Sequence, residues 1–111
     1  MTFDDVGRDE LCESVECGEV VLVDARSPIS WAAQRLPGAI NIPTGTVDER
    51  APQRIPDRNT EVVVYCGGGA CKASLAVAGR LVELGYRNVR HYPGGKEEWT
   101  AAGLPLEGGR V

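Results

Sequence analysis

Two cysteines five positions apart, Cys66 and Cys71, bracket a glycine-rich run in Val62-Val-Val-Tyr-Cys-Gly-Gly-Gly-Ala-Cys-Lys-Ala-Ser74. Cys66 is the candidate nucleophile. The β-branched run before it predicts a buried strand, and the amphipathic stretch from Ser74 to Leu84 predicts a helix after it. A strand, a glycine turn and a helix in that order aim backbone N–H groups and the positive end of a helix at one spot. A cysteine there is held as its thiolate more readily than a free thiol with a pKa of about 8.5. The same donors suit an oxyanion or a charged sulfur carried on the cysteine. Glycine reaches positive φ cheaply and lets a ligand approach the backbone. The competing reading of Cys66 is a buried structural cysteine beside a turn, and the three consecutive glycines favour the anion site.

A second group of charges follows another apolar run, Val20-Val-Leu-Val-Asp-Ala-Arg26. Continuous apolar residues of this length fit a strand buried on both faces of a parallel sheet. Asp24 and Arg26 then stand at its carboxyl end, where open α/β sheets place their sites. They are candidates for a supporting role, either as an ion pair clamping the loop or in direct contact with substrate.

The remaining cysteines, Cys12 and Cys17, repeat the spacing of Cys66 and Cys71. Four thiolates suggest zinc, but structural zinc sites pair ligands at shorter spacing than either pair offers. No metal or organic cofactor is implied. A disulfide framework is disfavoured because the start, Met-Thr-Phe-Asp-Asp, lacks the basic and apolar regions of a secretion signal. The expected compartment is the cytoplasm, where thiols stay reduced.

With 111 residues, 42% hydrophobic and 25% charged, residues 1–111 are expected to form one domain with one core. A net charge of -4 argues against nucleic acid or an anionic membrane surface as the main partner. An anionic substrate must therefore be drawn in by local donors. No apolar run reaches the length of a membrane span.

The elements that would position these groups follow in order. Asp9 to Val15 predicts a first helix with Leu11, Cys12 and Val15 on its inner face, and Cys17-Gly18 a turn that ends it. Ser27-Pro28 reads as a helix cap followed by proline at the first helical position, opening a short helix through Trp31 to Arg35. Leu36 to Pro43 predicts a turn and a short strand. The mixed polar tract from Thr44 to Thr60 reads as a surface connection with room for a helical turn. After the cysteine loop, Leu75, Ala78, Leu81 and Val82 recur at helical spacing and Gly85 closes the helix. Val89 to Tyr92 predicts a strand. Its histidine, His91, is more simply structural than a base. Pro93-Gly-Gly95 turns the chain into a last helix, Lys96 to Ala102, anchored by Trp99 and ended by Gly103. Alternating strands and helices argue for an α/β fold with a small, mainly parallel sheet.

Four segments in register carry a resemblance: Val21-Leu-Val-Asp-Ala-Arg-Ser-Pro28, Leu36-Pro-Gly-Ala-Ile-Asn-Ile-Pro43, Val64-Tyr-Cys66, and Pro93-Gly-Gly-Lys-Glu-Glu-Trp-Thr-Ala-Ala-Gly-Leu-Pro105. Together they resemble a rhodanese domain over nearly the whole chain. The resemblance implies a three-layer sandwich, helices flanking the sheet, and a sulfurtransferase. In that family the loop cysteine takes a sulfane sulfur from a small donor, typically thiosulfate, as a persulfide, and passes it to a thiol or to cyanide. Here Cys66 would be the nucleophile, with the backbone N–H groups of Gly67, Gly68, Gly69, Ala70, Cys71 and Lys72 cradling the persulfide. This is covalent catalysis in two steps.

The chain departs from the family's usual pattern at four points. Cys71 replaces a frequent arginine, the loop-and-helix segment is two residues longer, Arg35 stands where histidine is frequent, and Ser30 stands where a glutamate usually caps. Arg35 is retained as a candidate supporting residue. The Ser30 change is expected to weaken a cap interaction. Cys71 is either a resolving cysteine that forms a disulfide with Cys66 or a small packing residue. Two other classes compete. A thiol-based oxyanion enzyme acting on arsenate or a phosphate ester would use the same loop, but a phosphatase needs bidentate arginine where Lys72 offers a point charge. A non-catalytic rhodanese binding module is the other, and retention of Cys66 argues against it. A phosphate-binding nucleotide loop is excluded by the order Cys71-Lys72-Ala73-Ser74.

Overall fold

The computed structural model of the protein describes residues 3–68 and 71–108. Five strands form one sheet: β1 (Asp4–Asp5), β2 (Val21–Asp24), β3 (Ile40–Asn41), β4 (Glu61–Tyr65) and β5 (Asn88–Tyr92). Their order is β1-β5-β4-β2-β3, and every neighbouring pair is parallel. The helices are α1 (Arg8–Cys17), α2 (Pro28–Ala33), α3 (Val47–Arg54), α4 (Ala73–Glu83) and α5 (Gly95–Ala101).

Strand alternation sorts the core onto two faces. Val62 and Val64 of β4 join Val23, Val47, Ala51, Val77, Ala78 and Leu81 in a cluster under α3 and α4. Val63 and Tyr65 of the same strand point the other way, to Leu11, Leu22, Tyr92 and Trp99 under α1 and α5. The result is helices, sheet and helices in three layers, as the resemblance implies, around the parallel sheet that the α/β patterning predicts. β4 is central, which is why all four of its last residues, Val62 to Tyr65, are fully buried.

The cysteine loop sits at a defined place in this topology. β2 sends the chain out to β3 at one edge, whereas β4 sends it through α4 to β5 on the other side. The carboxyl ends of β2 and β4 therefore flank the point where strand order reverses, the position at which open α/β sheets leave a crevice.

Three local expectations change. The tract from Thr44 to Thr60 holds a two-turn helix, α3, whose Val47 and Ala51 are buried one turn apart. Asp48 and Glu49 in its first turn and Arg54 in its last complement its dipole, so its polar composition reflects an exposed outer face. On α4 the inward residues are Ser74, Val77, Ala78 and Leu81, while Leu75 is 46% exposed. Cys12 is only half-buried at the rim of the second cluster. β1 has no apolar signal, because it is an edge strand made by backbone pairing of Asp4 with Arg90 and Asp5 with His91. The turns hold as expected: Gly18, Gly85 and Gly103 take positive φ after α1, α4 and α5. No helix among the described residues is long and apolar enough to cross a membrane.

Candidate active site

Cys66 follows the last residue of β4 directly and is 3% exposed. Its loop is pinned from the far end of the chain. Lys96 N donates to Cys66 O at 3.0 Å and Glu97 N to Gly67 O at 2.7 Å. The first-turn N–H groups of α5, which have no partner within their own helix, thus find theirs in the cysteine loop. This contact explains Gly95. It takes φ +63°, and a Cβ there would lie 2.6 Å from Cys66 O and 2.9 Å from Gly67 C. Only glycine lets α5 come this close.

The second support comes from β2. Asp24 is fully buried and forks onto Arg26: Arg26 Nε donates to Oδ1 at 3.0 Å and Nη2 to Oδ2 at 2.8 Å. Arg26 Nη2 also donates to Gln34 O. Tyr65 OH completes the carboxylate, donating to Asp24 Oδ2 at 2.8 Å while accepting from Leu36 N at 3.0 Å. Asn41 Nδ2 donates to the carbonyls of Asp24 and Arg26 at 3.0 and 2.9 Å, which fixes the turn between them. Burial opposes the charge on Arg26, but the hydrogen bonds and charge of Asp24 outweigh it and hold the guanidinium more firmly protonated than usual. Burial, reinforced by the Asp24 charge, pushes the Tyr65 phenol well above its ordinary value.

Arg26, Gly67, Gly68, Cys71, Lys96 and Glu97 line an open cleft of about 390 Å³ over the loop. Two cations and one carboxylate thus line the cleft together with Cys71, and Glu97 lies against Gly68. A larger cleft, about 520 Å³, sits at the other end of the strands among Glu10, Glu61, Arg87 and Arg90. Its lining contains no thiol, and its one hydroxyl, Ser14, has no histidine beside it in the lining to act as a base.

Cys66 and Cys71 are joined by a disulfide, with Cα atoms 6.2 Å apart. Cys71 N donates to Gly68 O at 3.0 Å, so this amide is engaged within the loop and does not point at the cleft. Gly69 and Ala70 lie outside the described residues. Lys72 is exposed at the start of α4, with its carbonyl accepting from Ala76 N.

Asp24 is fully buried, and its carboxylate is engaged by Arg26 and Tyr65. Arg35 lies elsewhere: its guanidinium stacks 4.5 Å over Trp31 and faces Glu107 at 3.9 Å. Ser30 keeps a cap contact, its N donating to Ser27 Oγ at 3.2 Å and its hydroxyl accepting from Ser27 at 3.1 Å. His91 is buried outside the cleft, 2.8 Å from Ser74 Oγ. Lys96, Tyr65 and Asn41 are the residues that sequence reasoning passed over. Lys96 opens the helix after Pro93-Gly-Gly95, and a cation in that first turn, unfavourable to the helix dipole, was the available signal.

Comparison with known proteins agrees with this arrangement. The model of the rhodanese-like domain matches residues 8–102. Thiosulfate sulfurtransferase PspE of Escherichia coli is 37% identical over 75 residues, covering 68% of this chain and 70% of that protein. The HTH-type transcriptional regulator Rv0324 of Mycobacterium tuberculosis is 38% identical over 106 residues, 96% of this chain, although the chain spans only 46% of the regulator. A solved structure described as rhodanese with anions, from E. coli, superposes with a TM-score of 0.67 at 34% identity, over 80% of this chain and 98% of that one. The parallel sheet, the cysteine at the end of its central strand and the matched span from 8 to 102 have one common explanation: the chain belongs to the rhodanese family.

Proposed function

We propose that the chain is a sulfurtransferase in which Cys66 carries sulfane sulfur. The observation that carries this reading is that Arg26 and Lys96 line the cleft over the loop opened by Cys66, whose carbonyl accepts from Lys96 N, at the crevice where strand order reverses. With the pair reduced, the Cys66 thiolate attacks the outer sulfur of thiosulfate. The new Cys66–sulfur bond forms as the donor's sulfur–sulfur bond breaks, and sulfite leaves with the electron pair. A thiol or cyanide acceptor then attacks the outer sulfur of the persulfide and restores the thiolate. Arg26 and Lys96 balance the negative charge that donor and persulfide bring. Gly67 and Gly68 leave the backbone open to it. A reducing compartment such as the cytoplasm suits this cycle, since it keeps Cys66 as a thiol.

Intact mass of the reduced protein after exposure to thiosulfate tests the reading. The native chain gains one sulfur and Cys66→Ala gains none. A native chain that gains nothing, with no sulfite released, overturns it.

The likeness to the M. tuberculosis regulator supports a second reading, a rhodanese module used for binding within a larger protein. Sulfur loading on Cys66 separates the two.

A further inference from the structure

Sulfur transfer needs one cysteine, yet the loop carries two, Cys66 buried at its start and Cys71 lining the cleft, and they are bonded to one another. We propose, building on the sulfurtransferase reading, that Cys71 resolves the Cys66 persulfide internally and gives the chain a second activity: reduction of thiosulfate by an external dithiol, with release of hydrosulfide.

Access is the first argument. Cys66 is 3% exposed, so its sulfur offers an outside thiol almost no surface. Cys71 lines that cleft and already reaches Cys66 Sγ. A group held within the same loop reacts at an effective concentration far above that of any free thiol. Placement in the loop is the second. The bond from Cys71 N to Gly68 O closes the segment between the cysteines, and the 6.2 Å between their Cα atoms falls within the range that disulfides span. Charge is the third. Cys71 stands two residues before α4, a helix of 11 residues with no acidic side chain in its first turn, and Arg26 and Lys96 share its cleft. Both features favour a thiolate as attacking group.

The step balances without an oxidant. The Cys71 sulfur attacks Cys66 Sγ, and the bond from Sγ to the sulfane sulfur breaks. The electron pair and the Cys71 proton leave as hydrosulfide, and the product is the Cys66–Cys71 disulfide. In this step the sulfane sulfur is reduced to hydrosulfide and the Cys71 sulfur is oxidised; Cys66 was oxidised when it took the sulfur from thiosulfate, so it enters the disulfide at an unchanged level. A dithiol of the thioredoxin or dihydrolipoyl class then reduces the disulfide, becoming a disulfide itself. Per cycle, one thiosulfate and one dithiol yield one sulfite, one hydrosulfide and one oxidised dithiol. Attack on Sγ, rather than on the outer sulfur, is the course that ends in the bonded pair seen here.

A single-turnover experiment tests this on the full chain, reduced, freed of reductant and mixed with thiosulfate. The native protein is expected to release sulfite and hydrosulfide in equal amounts and to end two hydrogens lighter, at a rate independent of protein concentration. Cys71→Ser and Cys71→Ala are expected to release sulfite, lose hydrosulfide release and keep one added sulfur. A native chain that retains its sulfur as long as the two variants do overturns internal resolution while leaving sulfur transfer standing. Variants and native chain that all fail to release sulfite overturn the sulfurtransferase reading itself, and this proposal with it. A rate constant for hydrosulfide release that rises with protein concentration overturns it as well, by assigning the step to a thiol of another molecule such as the exposed Cys17.

Discussion

The Tyr65 hydroxyl donates to Asp24 Oδ2 at 2.8 Å, tying the end of the strand that carries Cys66 to the end of the strand that carries Arg26. Both groups are buried, so the bond is unscreened by solvent. Tyr65→Phe leaves Asp24 and the amide of Leu36 each short of a partner. Its cost is expected to be about 1–3 kcal/mol, the usual penalty for stranded buried polar groups. Chemical denaturation of the two proteins checks it. Because the same bond ties the strand ends that carry Cys66 and Arg26, the proposed sulfur transfer should fall as well.

Gly95→Ala combines a positive φ with a Cβ inside van der Waals contact of the cysteine loop. The backbone strain alone is worth about 1–3 kcal/mol. Relief by shifting the loop would displace Cys66, and a displacement of about 1 Å can cost about a hundredfold in rate. Steady-state turnover with thiosulfate, beside a melting curve, measures both effects. Alanine at Gly18, which also has positive φ but meets no atom within 4 Å, should lower stability and leave turnover intact.

Opposite charge changes in the cleft should move donor affinity in opposite directions. Lys96→Met removes a cation and is expected to raise KM for thiosulfate about tenfold, the worth of one charge-assisted contact. Glu97→Gln removes the carboxylate beside Gly68 and is expected to lower KM up to about fivefold at low salt. The second effect should shrink as ionic strength rises. Both are read from initial rates at two salt concentrations.

Alkaline pH tests the buried phenols. All three tyrosines, Tyr65, Tyr86 and Tyr92, are shifted above the ordinary phenol value, in each case first by burial. Folding therefore favours the protonated form. The stability this contributes is fully present below about pH 10, the pKa of an unfolded tyrosine, and is lost as pH rises beyond it. The phenolate absorbance band should appear together with loss of helical circular dichroism. A phenolate band that develops while the fold persists would show that the phenols ionise in place.

How much of this was readable beforehand depended on the range of each interaction. The order of strands and helices followed from local signals: the apolar runs of β2 and β4, the Ser27-Pro28 cap and the closing glycines. α3 was obscured because only Val47, Ala51 and Ile55 face the core, and the charges between them masked the helical spacing. β1 was invisible because Asp4 and Asp5 form a strand only through pairing with a segment more than 80 residues away. The site divides likewise. Cys66, Cys71, Asp24 and Arg26 declare themselves by type and by position at strand ends. Lys96 and Tyr65 acquire their roles only when α5 packs on the loop and β2 lies beside β4, and neither relation has a local signature.

The two bonds from α5 to the cysteine loop also govern when the site comes into being. Cys66 precedes Lys96 and Glu97 by about 30 residues, so a chain emerging from the ribosome exposes its thiol well before the amides that fix its loop. The parallel neighbour of β4 on that side, β5, is equally late. Until both arrive, the loop lacks the two amides that hold it and the Lys96 charge. The order of synthesis thus leaves the Cys66 loop unpinned until the last helix is made.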